Sequence, residues 1–304
     1  MNSGLVTSDF ISTLLASYGV SPKLSGSLQV AANRPASLAE TTVETVSFCR
    51  DTANVTIAAS KNWRGVIFLE ELDQHLRKSI ESRQDLLVVE CRYSEAMFYK
   101  LLSTCFSDFR THSASPLDDE IFDYNSHPSI GDFSCIRESV WLAPTVAVGP
   151  NCSIRRTRIG ENTVIQAGVR LGDDALGAAL GPGGVWFDRP HFGGVIIESN
   201  VRVENNTVIQ SGFFESTQIS SNCRIGPNSC IGNGVKIGEG TLIGQSVTIA
   251  GSVSIGRGCR IWGAAAIREG TRIGDYAVVG MGSVVLRDIS DYETWFGNPA
   301  RRRD

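Results

Sequence analysis

Histidine and methionine are scarce, at four and three among 304 residues. The eight cysteines (49, 91, 105, 135, 152, 223, 230 and 259) form no C-x-x-C pair, and none has a histidine at metal-ligand spacing. No metal site is therefore expected, and free thiols in a cytoplasmic protein are the natural reading. No stretch approaches the roughly 18 apolar residues of a membrane span. The N-terminus has no charged segment leading into a long apolar run, so no secretory signal is expected. Charge of one sign is also missing: 28 Lys and Arg face 32 Asp and Glu, for a net −4. That balance argues against nucleic-acid and membrane-surface roles. The one dense basic cluster, Arg301-Arg302-Arg303, is too short for a nucleic-acid arm. The sequence contains no G-x-x-x-x-G-K-[ST], H-E-x-x-H or G-x-S-x-G, which sets aside the nucleotide loops, zinc proteases and hydrolases that those motifs mark.

A register of six is present instead. Stepping from Ile219 gives Ile225, Ile231, Ile237, Ile243, Ile249, Ile255, Ile261, Ile267, Ile273, Val279 and Val285, all aliphatic. Glycine follows at 226, 232, 238, 244, 256, 274 and 280. Neither the 3.6 period of an α-helix nor the period of two of a strand explains this spacing. A fixed hexapeptide period marks a parallel β-helix, in which each unit is one short strand and one turn and three units close a triangular coil. The aliphatic residue points inward and stacks on its equivalent one coil away. The glycine lets the backbone turn without a Cβ clash. Cys152, Cys223 and Cys259 each precede an inward isoleucine by two residues and read as small buried repeat residues.

The length allows two domains. Residues 1–110 read as a small α/β domain. Asp9–Tyr18 suits a short helix capped by Ser8 or Asp9. Val66–Leu69 and Leu86–Val89 suit buried strands. Glu70–Arg83 and Ser94–Phe106 suit helices, the second with Met97, Leu101 and Leu102 on one face. Residues 111–127, with Ser, Pro and clustered acids, read as a linker. The β-helix is expected over 128–287, with early rungs at Ile130, Ile136, Leu142, Val148 and Ile154. After a slip of one residue come Ile159, Ile165 and Leu171. Two stretches break the register: 172–194, rich in Gly with Trp186, Phe187 and Phe192, and 210–218 (QSGFFESTQ). Long irregular segments in compact domains are usually functional or disordered, and the aromatic content of the first favours a docked functional loop. Residues 288–304 read as an irregular cap or tail.

Left-handed β-helices of this kind recur in acyltransferases and in one class of carbonic anhydrase. The latter needs three histidines on zinc, and only His127 and His191 lie in the repeat region. The chain resembles the UDP-3-O-acylglucosamine N-acyltransferases of lipid A biosynthesis. Val88–Leu102 (VVECRYSEAMFYKLL) is similar to that family's V-V-x-N-P-R-x-x-F-A-R-L-L. Ile165–Gly172, Trp186–His191 and Val195–Glu198 are similar to its Q-S-G…G-F-G-Y…W…I-P-[QH]-x-G-x-V-I-I. Thr207–Ser220 keeps the spacing of T-T-I-D-R-G-x-x-x-x-T-x-I-G. Val279–Arg287 (VGMGSVVLR) is similar to T-G-M-G-M-V-M-R. The departures are specific. The family's catalytic histidine, in I-A-H-N-V, falls on Asn233 within Ile231-Gly232-Asn233-Gly234-Val235. The histidine of its I-N-G-H falls on Gly270. Its G-F-G-Y becomes Ala175-Leu176-Gly177-Ala178, and its N-P-K-Y has no match near Leu69–Gln74.

The chain's end is also similar to the close of acetyl-CoA-dependent hexapeptide acetyltransferases, G-S-V-V-x-K-D-I…G-N-P-A-[KR]. Here it reads Gly282–Ile289 and Gly297-Asn298-Pro299-Ala300-Arg301. The resemblance implies a homotrimer with sites between subunits. It implies an acyl-CoA or acyl carrier protein co-substrate with no bound cofactor, and a nucleotide-linked amino sugar as acceptor. It assigns Asn233 and His191 as catalytic candidates, and Trp186 and Asp188 as substrate contacts. Gly251, Ala264, Arg268, Asn298 and Arg301 become donor contacts, with the arginines 301–303 near the donor's phosphates. Acyl transfer needs a deprotonated nucleophile, a held thioester and donors for the oxyanion. With Asn233 at the base position, three readings stay open. His191 serves as base, or the amine enters neutral and Asn233 positions it, or the site only binds. Each candidate also has a plain role: Asn233 as a turn residue, His191 as a packed loop residue, Asp188 as exposed charge, the small residues as tight packing, and the arginines as a solvated tail.

Overall fold

The structure is a computed structural model that describes residues 6–28, 32, 34–36, 41–42, 44–49, 63–72, 74–81, 83–106, 128–137 and 139–303. The stretch 111–127 that reads as a linker, and His127 within it, lie outside the described residues. The chain divides into two compact units, 1–110 with 176–190, and 111–175 with 191–304.

The first unit is α/β. Its five strands are β1 (Lys23–Leu28), β2 (Arg34–Pro35), β3 (Thr45–Phe48), β4 (Gly65–Leu69) and β5 (Asp85–Glu90), in the order β1-β5-β4-β3-β2. β3, β4 and β5 run parallel and β1 pairs antiparallel to β5. All five residues of β4 are buried, which is why an unbroken apolar run encodes it. Among the described residues three α-helices accompany the sheet: α1 (Ser8–Ala16), α2 (Gln74–Ile80) and α3 (Ser94–Cys105). The N-cap of α1 is Thr7, whose Oγ1 accepts the Phe10 N–H at 3.2 Å, so the cap lies one residue before the expected Ser8. Helix α2 is shorter than the charged stretch 70–83 suggests. On α3, Met97, Leu101 and Leu102 are buried as expected, and Phe98 packs between Phe48 and Phe68.

The central part of the first register break joins this unit. Ala178–Leu180 and Trp186–Asp188 form an antiparallel hairpin. Phe187 meets Tyr18 edge-on at 5.6 Å. Arg189 Nε donates to Tyr99 Oη at 3.0 Å, and Tyr99 Oη donates to Glu95 at 2.6 Å. A Cβ on Gly181 would lie 2.4 Å from the Phe187 ring, so glycine is what lets the hairpin close on that ring.

The second unit is a parallel β-helix. Each inward aliphatic pairs with the one three hexads on: Ile225 with Ile243, Ile261 and Val279 on the first face, Ile231 with Ile249, Ile267 and Val285 on the second, and Ile237 with Ile255 and Ile273 on the third. These residues form one continuous buried column. The residue two before each inward aliphatic also points in. Three of these residues bond to the next coil: Ser229 Oγ donates to the Gly244 carbonyl at 3.0 Å, Thr241 Oγ1 to Gly256 at 2.8 Å, and Cys259 Sγ to Gly274 at 3.0 Å.

The segment after Arg287 is more regular than the sequence suggests. Ile289 bridges to Ile273, Thr294–Phe296 extends the first face beside Val278–Val279, and the Ala300 N–H donates to the Val284 carbonyl at 2.8 Å. Ile289, Trp295 and Ala300 are buried on the end of the column, so this segment caps the helix.

Candidate functional site

The three faces leave three edges, and the irregular features gather on one. The edge between the second and third faces carries both register breaks: residues 174–194 separate Arg170–Asp173 from Val195–Ile197, and residues 211–216 separate Val208–Gln210 from Thr217–Ile219. The same edge carries Arg155-Arg156 below them, and Asn233, Gly251 and Arg268 on successive coils above.

Asn233 is half-buried, and the left-handed φ of its corner belongs to Gly234 at +65°, not to Asn233. The backbone therefore does not require an asparagine there. Its amide lies over Gly251 of the next coil, where a Cβ would sit 2.6 Å from Asn233 Oδ1. Gly251 makes room for the Asn233 side chain, a reason distinct from the donor contact that the resemblance implies. The Gly234 N–H donates to Thr217 Oγ1 at 2.9 Å, which ties this corner to the second break. Thr217 Oγ1 in turn donates to the Gln210 carbonyl at 2.7 Å.

His191 has no exposed surface. Its ring meets Phe213 edge-on at 6.1 Å, and its carbonyl accepts from Arg156 Nη1 at 2.8 Å. A general base has to come within hydrogen-bond reach of the proton that it removes, and this imidazole is enclosed within the chain. Trp186 and Asp188 are exposed on the hairpin of the first unit. His191 belongs to the second unit.

The donor candidates divide between edges. Gly251 and Arg268 lie on the edge just described. Arg268 is exposed, its Nη1 3.3 Å from the Leu286 carbonyl. Ala264 lies on the edge between the first and second faces, exposed and at φ +58°. Asn298 and Arg301 belong to the terminal turn beyond Phe296. Both are exposed. Arg302 pairs with Glu293 at 3.1 Å, and the Arg303 guanidinium lies 5.8 Å from the Phe296 ring centre.

Two features escaped the sequence. Arg156 is buried beneath the roots of both breaks, and the only hint was the shortened step from Ile154 to Ile159. The second is a cleft of about 530 Å³ on the third face, with Trp141, Arg158, Glu161, Glu198 and Ser221 in its lining. There the Arg158 guanidinium lies 4.6 Å from the Trp141 ring centre, and Glu198 accepts from the Ser221 N–H and Oγ. Apart from Glu198, which ends the Val195–Glu198 resemblance, nothing marked these residues beforehand, because outward positions carry no register signal. Among the described residues no group of three His, Cys, Asp or Glu side chains is placed to hold a metal, and no helix is long and apolar enough to cross a membrane.

Residues 216–251 and 252–287 match the family described as bacterial transferase hexapeptide (six repeats). UDP-3-O-acylglucosamine N-acyltransferase from Caulobacter vibrioides is 38% identical over 78 residues, covering 26% of this chain and 23% of the relative. UDP-3-O-acylglucosamine N-acyltransferase 2 from Legionella pneumophila is 42% identical over 88 residues, covering 27% and 25%. The chain thus aligns with about a quarter of the length of these curated relatives. Among solved structures, the UDP-N-acetylglucosamine O-acyltransferase of Moraxella catarrhalis overlaps 58% of this chain and 73% of its own, at 22% identity and a TM-score of 0.48.

Proposed function

We propose that this protein transfers an acyl group from a thioester, carried by coenzyme A or acyl carrier protein, to the amine of a nucleotide-linked sugar. The supporting observation is the convergence of both register breaks, Asn233 and Gly251 on one edge of the β-helix. The names of the similar proteins, acyltransferases of UDP-linked glucosamine, support the reaction class and the acceptor class.

The chemistry follows from what the edge holds. A neutral amine attacks the thioester carbonyl, the tetrahedral oxyanion collapses, and the thiolate leaves and takes up the proton that the new amide gives up. The Asn233 amide, which neither gains nor loses a proton, orients the acceptor by hydrogen bonds. A sugar hydroxyl is a weak nucleophile unless a base removes its proton during attack, whereas a neutral amine is nucleophilic enough to attack first and lose its proton afterwards. With Asn233 at the base position and His191 enclosed, N-acylation is the favoured course.

The protein works as a cytoplasmic homotrimer in this reading. Outward residues of the second face, Val208, Cys230, Thr248, Ala266 and Val284, form a run without charge, suited to burial between copies. The matching positions on the third face run Gln218, Lys236, Ser254 and Arg272, two of them cationic. Asn233 at the base position and the enclosure of His191 also favour a second reading, a catalytically inactive homologue that binds a sugar nucleotide or a partner. Free-thiol release from acetyl-CoA or a long acyl carrier thioester, with a panel of UDP- and dTDP-amino sugars, separates the two. Release that depends on the amino sugar is expected.

A further inference from the structure

The Arg156 guanidinium side chain is only 4% exposed, and its surroundings are the two register breaks themselves. Nη1 donates to the His191 carbonyl at 2.8 Å. Nη2 donates to the Gly172 carbonyl at 2.8 Å, to Ser211 Oγ at 3.1 Å and to the Asp174 carboxylate. One guanidinium thus holds the outgoing root of the first break (His191), its incoming root (Gly172 and Asp174) and the start of the second (Ser211). The backbone repeats the pattern. The Val195 N–H donates to the Arg156 carbonyl at 2.9 Å, and a Cβ on Gly194 would lie 2.3 Å from that same oxygen. Arg156 itself sits at φ +46°, where a non-glycine residue is strained, in a corner one residue shorter than its neighbours.

The two breaks are also joined directly. The Phe192 N–H donates to the Phe213 carbonyl at 2.7 Å, the Thr217 N–H to the Gly194 carbonyl at 2.9 Å, and the Ser211 N–H to the Asp173 carbonyl at 2.9 Å. From Thr217 the chain of bonds runs on to Gly234, beside Asn233. A buried guanidinium is costly unless it is paired. Its planar fork, with donors aimed in fixed directions, suits carbonyls arriving from separate segments.

We infer that Arg156 is a positioning residue: it locks the roots of both breaks into one unit and thereby fixes the Thr217–Gly234–Asn233 corner where the acceptor amine is oriented. This rests on the proposed acyl-transfer site, but the locking itself does not.

The test is amide hydrogen exchange on the full chain, with R156K as the variant. Lysine keeps the charge but presents a single ammonium, which cannot reproduce two differently aimed nitrogens. Exchange in peptides spanning 190–195 and 210–217 is expected to quicken together by about tenfold or more, while the coils from 236 to 285 keep their wild-type protection. If only one break loosens, or neither does, Arg156 does not lock the two together and the inference is overturned. Should R156K fail to fold, S211A and D174N each remove one partner and leave the arginine. Loosening of both breaks in either variant supports the lock, and loosening confined to the altered segment overturns it. The thiol-release assay supplies the second arm. R156K is expected to raise KM for the amino sugar by about tenfold with the thioester KM within about twofold, because the lock acts on the acceptor corner. Equal losses on both substrates would overturn the positioning role. Absence of any thiol release from the wild-type protein would refute the proposed function and leave the exchange result standing by itself.

Discussion

At the scale of single residues, the Asn233–Gly251 pair is the sharpest feature of the edge. Gly251 has no left-handed φ to justify it, so its value lies in the absent Cβ. Gly251→Ala should displace the Asn233 amide and cost stability, while the same change in an Asn233→Ala background should cost about 1 kcal/mol less. Urea melts of the four proteins in that cycle measure the difference, and additive costs would mean that the two residues do not share their space. Buried thiols give a second expectation. Burial, with Glu70 and Glu90 adding to it, pushes Cys91 up to about 12, and burial pushes Cys223 up to about 11. Both should resist a thiol reagent in the native protein at pH 8 and react once it is unfolded. In the unfolded chain these thiols ionise near an ordinary value of about 8.5. The folded state therefore binds more protons between about pH 8.5 and 11, and stability should fall as pH rises through that window. A urea midpoint unchanged between pH 8 and 10.5 would contradict this.

At the scale of elements, the terminal segment behaves as a cap and not as a solvated tail. Ile289, Trp295 and Ala300 cover the last inward residues, as the end units of repeat proteins must. Ending the chain at Arg287 uncovers Ile273, Val279 and Val285, and the shortened protein is expected to aggregate or to lose more than about 3 kcal/mol in melting experiments. Unchanged solubility and melting would assign the segment no structural role. The register of six exposed the coils in the sequence because an inward aliphatic recurs wherever the strand does. For 288–304 the sequence left a cap and a tail both open, because Trp295 and Ala300 replace the aliphatics on the end of the column. β1 (KLSGSL) was missed: it alternates weakly, contains Gly26 at φ +78°, and is fixed by its partner β5. Arg156 was hidden for the opposite reason. Its worth comes from Gly172, His191 and Ser211, which are remote in sequence and meet only once the coils have stacked.

At the scale of the whole molecule, a rigid repeat stack supplies straight edges, and function is grafted on where the register is interrupted. Here both interruptions fall on one edge, below a half-buried amide that cannot accept a proton from an attacking group. The proposed acyl transfer at this edge therefore depends on an amine that is already neutral. The most direct measurement is the rate of free-thiol release from acetyl-CoA or an acyl carrier thioester, with UDP- and dTDP-amino sugars, followed from pH 5.5 to 9.5. Release is expected only with an amino sugar present, rising with the neutral fraction of its amine through about pH 8 and with no limb near the ordinary histidine value of about 6.5. A limb near that value would return the role of base to an imidazole. Silence with every pair, alongside measurable binding of a sugar nucleotide, would contradict catalysis and leave a binding protein.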